Sequence, residues 1–416
     1  MSTTVATTEL RPLVPTRYRA PGGKQTLVPI PTVLLKAFGA RLRKDDPRFD
    51  VLRNALLDTD PIADAVAALF GRLPPNEGRR LLDRALDDGI HSLTDPPREL
   101  VALFDEVDHV PGWLDRDKLR LATDTMLRFG TSGTYALGSA SLMSGYLSSG
   151  AVKPLVATGA LTRMARRRLA ETGKYVRDLA MSGELGRFSD GVKTTVRVRV
   201  MHALVRKGIS RTSTWKRNDW GAPINQRDMV GTHLEFTVAY IAGLAALGYS
   251  IDKREREALM HMWRYLGQLM GLRVDLVPTS FAEALEVAWI FNQTESGPDA
   301  DSRALAAALL EAWNDGLPGR RGGIVGKLEG RFLTGFARFV LGKKASDSLH
   351  LPNDLFKYSV YAIAPLRMTS ELVRRTIPGG TRRAIARGRA TIESELALGL
   401  AGEAPSYDPR FHVPAT

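Results

Sequence analysis

Residues Tyr249 to Gly271 set Ile251, Leu259, Met262, Trp263, Leu266 and Met270 on one stripe of a helix. Similar apolar spacings recur from Asp46 onward, in ADAVAALF, ELVALF, FAEALEVAWIF and ALAAALLEAW. No alternating apolar run is long enough for a convincing strand. The chain is therefore expected to be all-α, with residues 41–416 forming a single compact multi-helix domain. Residues 1–40, rich in Pro and Thr with little periodicity, are expected to form an extended N-terminal arm. Several helix starts are spelled out. Asp60-Pro61 reads as an N-cap followed by proline at the first helical position, and Thr94-Asp95-Pro96 repeats the pattern. Asn225 and Pro278-Thr279 mark two more starts.

Lys and Arg number 58 against 45 Asp and Glu, a formal net charge of +13 that invites an anionic partner. The basic residues are interleaved with acids and no aromatic-basic cluster forms, so solvated faces are the reading and nucleic acid is not expected. With no cysteine, thiolate metal sites, disulfides and cysteine nucleophiles are excluded. The N-terminus shows neither an apolar export segment nor twin arginines, which makes a cytoplasmic location the expectation. The longest uncharged run, Phe129 to Val152, has Gly, Ser or Thr at 13 of its 24 positions. That is too polar for a transmembrane segment, although peripheral membrane contact stays open. Gly130, Gly133, Gly138 and Gly145 instead suit close approach of a neighbouring helix or a flat ligand.

Between Ala160 and Arg206 the pattern gives two helices joined by a glycine-bearing turn. Arg168, Glu171 and Thr172 fall at i, i+3 and i+4 on the first, facing one way. His202 lies on the second, with Val198 and Val205 on the same face. An imidazole on such a stripe is either a hydrogen-bonded core residue or an axial ligand to a buried metal, and spacing alone favours the core. His233 and His261 are the competing helical histidines, and no HExxH or close HxH pattern exists.

KTTVRVRVMHALVR resembles the helix bearing the proximal haem histidine in the latex-clearing, or rubber oxygenase, family, whose domain is shared with ER-bound oxygenases. RLAET resembles that family's Arg-x-x-Lys-Thr distal motif, and VPGWLD, INQRDMVGTHLEF and HMWRYLGQLMG resemble further family segments. The resemblance implies a globin-like helical core and a haem b (iron) oxygenase that uses O2 on an apolar or aromatic, alkene-like small molecule or polymer. It makes His202 the iron ligand, with Thr195, Val198, Met201 and Val205 as slot wall. Arg197, Arg199, Arg206 or Lys193 would reach the propionates. It places Arg168, Glu171 and Thr172 on the distal side, where a fixed cation stabilises developing negative charge.

Two positions depart from the family. Glu171 stands where the family has lysine, and the segment Ser148 to Lys153, where its catalytic glutamate would align, holds no carboxylate. Glu171 is then the candidate base, and polyisoprene cleavage is not implied as the specific reaction. The rival readings are a peroxidase-like or gas-binding haem protein, and a non-catalytic basic helical binding protein.

Overall fold

The computed structural model describes residues 14–21, 28, 32–158, 165–315 and 323–399. Among them all regular structure is helical. The helices that build the site are α1 (Arg116–Phe129), α2 (residues 131–145), α3 (Ala165–Met181), α4 (Asp190–Ser210), α5 (Gln226–Ala246) and α6 (Lys253–Leu269). A C-terminal hairpin follows, α7 (Ser359–Thr376) and α8 (Gly380–Gly399).

Local chemistry explains the starts. The Asp60 side chain accepts from the Ala63 amide ahead of Pro61–Phe70, Asn225 accepts from Asp228, and Asp252 forms a reciprocal capping box with Glu255. Two expected starts are displaced. Asp95 sits at φ +52 and Pro97 is extended at ψ 136, so the next helix opens at Arg98 without a side-chain cap. Ser280, rather than Thr279, caps Phe281–Thr294, and Thr279 instead donates to Glu283.

The α3–α4 pair takes the expected form. The connection is turned by Gly183 at φ +59 and Leu185 at φ +51. Helix α4 is covered on two sides, one by protein and one by the cavity described below. Its protein side is tied down by charge. Arg199 binds both carboxyl oxygens of Asp60 at 2.7 and 3.0 Å and Glu106 at 2.6 Å. Arg206 reaches Asp64 at 2.7 Å and the Ile224 carbonyl at 2.8 Å, while Arg197 reaches Asp83 at 2.8 Å. Because Arg199 and Arg206 are buried two turns apart, these pairs fix the rotation of α4 about its axis.

Two large apolar clusters make most of the core among the described residues, with a small third one, Ala63, Ala67 and Ala203, behind α4. One surrounds α1 and α6, which pack closely together. The other joins the end of α2 to Ala300–Asn314 and Ile324–Ser348, through Tyr146, Leu309, Trp313 and Leu333. Helix α2 approaches its neighbours through glycines. A Cβ on Gly133 would stand 2.9 Å from the Tyr240 hydroxyl, and one on Gly138 would stand 3.4 Å from the Trp313 ring. Two stretches, Ala136–Leu142 in α2 and Glu235–Ala239 in α5, are wound as π-helix and pack on each other.

Helix α5 is the one described helix long and apolar enough to cross a membrane by length and composition. It runs through the core, where Val230, Leu234, Ile241 and Leu244 are buried. Of the N-terminal arm, Arg17 and Arg19 dock by backbone bonds to Asp219 and Thr294, and Thr32–Ala37 forms a short helix.

Candidate functional site

A cavity of about 550 Å³ lies between the two core clusters, a size ordinary for a small-molecule or cofactor site. Most of its lining comes from α2, α3, α4, α5 and α6, with α1, α8 and the helices Ser149–Ala157, Ala300–Asn314 and Ile324–Ser348 completing it. Met126, Phe236, Trp263 and Leu266 line it from the first cluster, and Leu142, Tyr146, Trp313 and Leu333 from the second.

The structure brings Glu171 and Thr172 of α3 together with Val198, Met201, His202 and Val205 of α4 on this one cavity. A regular helix explains the second set, because positions 198, 201, 202 and 205 share a face. Glu171 is half-buried and Thr172 exposed. The backbone of Arg168 belongs to α3, but its side chain lies outside the described residues. Thr195 is turned away from the cavity, donating to the Gly191 carbonyl and contacting the Tyr175 hydroxyl.

The expected propionate cations are not available to the cavity. Arg197, Arg199 and Arg206 face the other way, in the ion pairs that hold α4, and Lys193 pairs with Asp87 at 2.7 Å. Helical sequence alone does not say which flank of α4 meets acidic neighbours. The cavity's cations come instead from α3, where Lys174 and Arg177 line it. Both lean on Asp178, Arg177 at 2.8 Å.

Helix α5 contributes the competing histidine His233 and a carboxyl that the sequence did not announce. His233 lines the cavity and is buried, and burial lowers its pKa to about 4, so it is neutral near pH 7. Its Nε2 is buried without a hydrogen-bond partner among the described residues. Glu235, at the start of the π turn, also lines the cavity. Its carboxyl lies over Gly145, whose Cβ, were there one, would meet Oε1 at 2.3 Å. No hydrogen-bonding or charged partner reaches this carboxyl among the described residues, and enclosure pushes its pKa up to about 8. The third helical histidine, His261, accepts a 2.9 Å bond from the Asp115 amide and packs edge-on against Trp113, a structural role.

An all-α domain enclosing an apolar cavity with one imidazole on each of two walls is the class this geometry defines. Residues 127–375 match the family model described as ER-bound oxygenase mpaB/B'/Rubber oxygenase, catalytic domain, and the chain belongs to that family. It is similar to the Rubber oxygenase of Streptomyces sp. (strain K30), at 24% identity over 318 residues that span 74% of this chain and 70% of that protein. Its fold is similar to that of Latex Clearing Protein LCP in the closed state, with a TM-score of 0.59 over 83% of this chain and 91% of that one, at 17% identity. Both the family and the all-helical fold expected from the sequence are thus met, and membership places the chain among oxygenases.

Proposed function

We propose that this protein is a haem b-dependent oxygenase that uses O2 on an apolar, alkene-like substrate, with His202 as the iron ligand. The observation that carries the reading is the convergence of His202, Val198, Met201 and Val205 on one wall of an enclosed cavity in a chain of the oxygenase family. The donor set fits this cofactor. A bare metal ion asks for three or four protein donors, and among the described residues no three His, Cys, Asp or Glu side chains cluster in that way. A macrocycle that brings its own nitrogens asks the protein for one axial imidazole, an apolar slot, and cations for its carboxylates. His202 meets the first need, the cavity walls the second, and Lys174 with Arg177 the third.

Bound there, haem would supply the dioxygen chemistry. The chain supplies the rest. Trp263, Phe236 and Leu266 keep water out and hold an apolar substrate. Arg168 provides a fixed cation on the α3 side, with Thr172 as a hydrogen-bonding neighbour. Two carboxyls, Glu171 and Glu235, share the cavity. Glu235 is the stronger base candidate, because a carboxyl held near pH 8 accepts and returns a proton at working pH. The relative is named for rubber; an isoprenoid alkene, polymeric or small, is the substrate class an apolar cavity of this size supports.

Absorbance spectra of the purified protein before and after haemin titration test the reading. A Soret band is expected for the parent and for His233→Ala, and none for His202→Ala. A colourless parent that takes up no haemin overturns the cofactor. A red His202→Ala beside a colourless His233→Ala moves the ligand to α5.

A further inference from the structure

We propose that the C-terminal hairpin, α7 with α8, docks this protein onto an anionic lipid surface. Between Leu355 and Ile392 the sequence holds eight basic residues and a single acid, Glu371. Positive charge is therefore concentrated along α7 and the first part of α8, ahead of Glu393 and Glu395 near its end. The acid does not offset it at the surface, because Glu371 is buried, accepting from Arg128 at 2.8 Å and from Arg374 at 3.0 Å.

The same hairpin carries an apolar face that nothing described covers. Tyr361 is 66% exposed, Leu366 73% and Leu372 63%, with Tyr358, Val373 and Ile377 exposed beside them. At 100° per residue these positions fall on one half of the α7 surface. Val360, Ala364 and Glu371 fall on the opposite half, and they seat the helix. Val360 and Glu371 are buried, and Ala364 lies so close to Gly248 that a Cβ there would stand 2.3 Å from its carbonyl oxygen. Helix α8 is seated as firmly, since a Cβ on Gly388 would stand 1.7 Å from the Leu127 carbonyl. The apolar stripe is thus presented by a fixed platform, not by a frayed end.

Solvated helices keep such faces polar; isolated exposed apolar residues are common, but a continuous stripe marks a contact surface. The charge around it chooses the partner. Arg375, Arg382, Arg383 and Arg387 are exposed alongside, so the surface that fits is apolar at its centre and negative at its rim. An anionic bilayer, with acyl chains beneath phosphate headgroups, has that layout, and basic interfacial helices bind it through both terms. All of α8, with Arg382, Arg383 and Arg387, lies beyond the family match, which ends at residue 375, whereas the apolar stripe of α7 lies within it. The proposal is also independent of the haem reading, because none of the exposed side chains that would meet the bilayer lines the cavity, and Ile392 alone of the hairpin's described residues reaches it.

Co-sedimentation of the full chain with vesicles tests this, using phosphatidylcholine alone and phosphatidylcholine mixed with phosphatidylglycerol. Binding is expected to the mixed vesicles only, and to weaken as salt is raised. The Leu366→Asp, Leu372→Asp double variant should lose about tenfold or more in partitioning. Arg382→Ser with Arg383→Ser should lose less and show a shallower salt dependence. All four side chains are exposed, so thermal melts should match the parent; the arginine pair still decides the matter if the leucine variant is misfolded. Equal binding to both vesicle types, binding to neither, or variants that bind like the parent would overturn the proposal. So would a parent dimer in solution that the leucine substitutions dissociate while vesicle binding is unchanged.

Discussion

The α4 and α5 walls of the cavity each present an imidazole, yet they are built on different principles. Helix α4 is regular, and its rear is fastened by Arg199 and Arg206 to carboxylates on and ahead of the Pro61–Phe70 helix. Its cavity face follows from 3.6-residue periodicity. Helix α5 has no such fastening beside Glu235. It widens into a π turn, meets a second π turn in α2, and lodges a carboxyl against a glycine of that neighbour. The face bearing His202 is positioned by ion pairs behind it. In α5 the buried pairs, Arg227 with Glu295 and Asp228 with Arg17, lie at the helix start, and Glu235 is placed by the absence of a side chain in front of it. Function built in the first way is written in a single helix; function built in the second is written in two segments far apart in the chain.

The largest expected effect comes from unfastening α4. Arg199→Ala leaves Asp60 buried without its cation, and breaking a buried pair on one side costs about 3–5 kcal/mol. The unfolding free energy from urea titration should fall by that amount. Haemin affinity should fall as well, since only Arg206 and Arg197 then hold His202 to one rotation of the helix. If stability drops and haemin affinity is unchanged, the ion pairs serve the fold alone.

Next is Glu235→Gln, which compares the walls through pH. Folding raises the Glu235 pKa from an unfolded value of about 4.3 to about 8. Its favourable contribution is therefore complete below the unfolded value and is lost as pH climbs through 8. Relative to the parent, the glutamine variant should gain roughly 2–4 kcal/mol between pH 4.5 and 8.5, the cavity's own water tempering the full shift. His233 has the opposite sign. Its folded pKa of about 4 gives stability that is present above about 6.5 and lost as pH falls to 4. In the glutamine variant that acid limb should stand alone. Chemical denaturation across this range checks both limbs. Turnover sharpens the same comparison: Glu235→Gln should keep the Soret band and lose oxygenation, whereas Glu171→Gln should keep both. The reverse pattern returns the base to α3.

The contrast also explains what could be read in advance. Helix periodicity and caps were legible in Asp60, Asn225 and the stripe from Ile251 to Met270, because these depend on neighbours in sequence. The cavity face of α4 was legible for the same reason. The roles of Arg197, Arg199 and Arg206 were not. An arginine beside His202 serves a ligand or a salt bridge depending on which helix packs behind it, and Asp60, Asp64 and Asp83 lie more than a hundred residues away. Glu235 carried no local signal at all. It stands two residues from a histidine in an apolar helix, and only the facing glycine shows that its carboxyl belongs to the cavity. The glycines of α2 were the available clue, since they announced a close approach without naming what approaches.

That clue supplies the smallest and most selective test. Gly145→Ala adds one methyl group at a spot where its carbon would lie 2.3 Å from Oε1 and 2.7 Å from Cδ of Glu235. Backbone strain is not at issue, because Gly145 is helical and is not among the glycines with positive φ. The carboxyl must therefore swing away, and overpacking of this kind costs about 1–3 kcal/mol, less where a flexible end can yield. A folded, haem-competent protein is expected, melting slightly lower than the parent. The informative readout is the stability-versus-pH curve. If the displaced carboxyl reaches water, its pKa falls and the downward slope toward pH 8 should flatten, approaching the glutamine variant without removing the acid. Loss of oxygenation together with that flattening would tie proton handling to the seat over Gly145. An unchanged slope would mean that the carboxyl finds an equally dry position inside the cavity. Turnover unchanged alongside it would show that the seat over Gly145 matters to packing and not to chemistry.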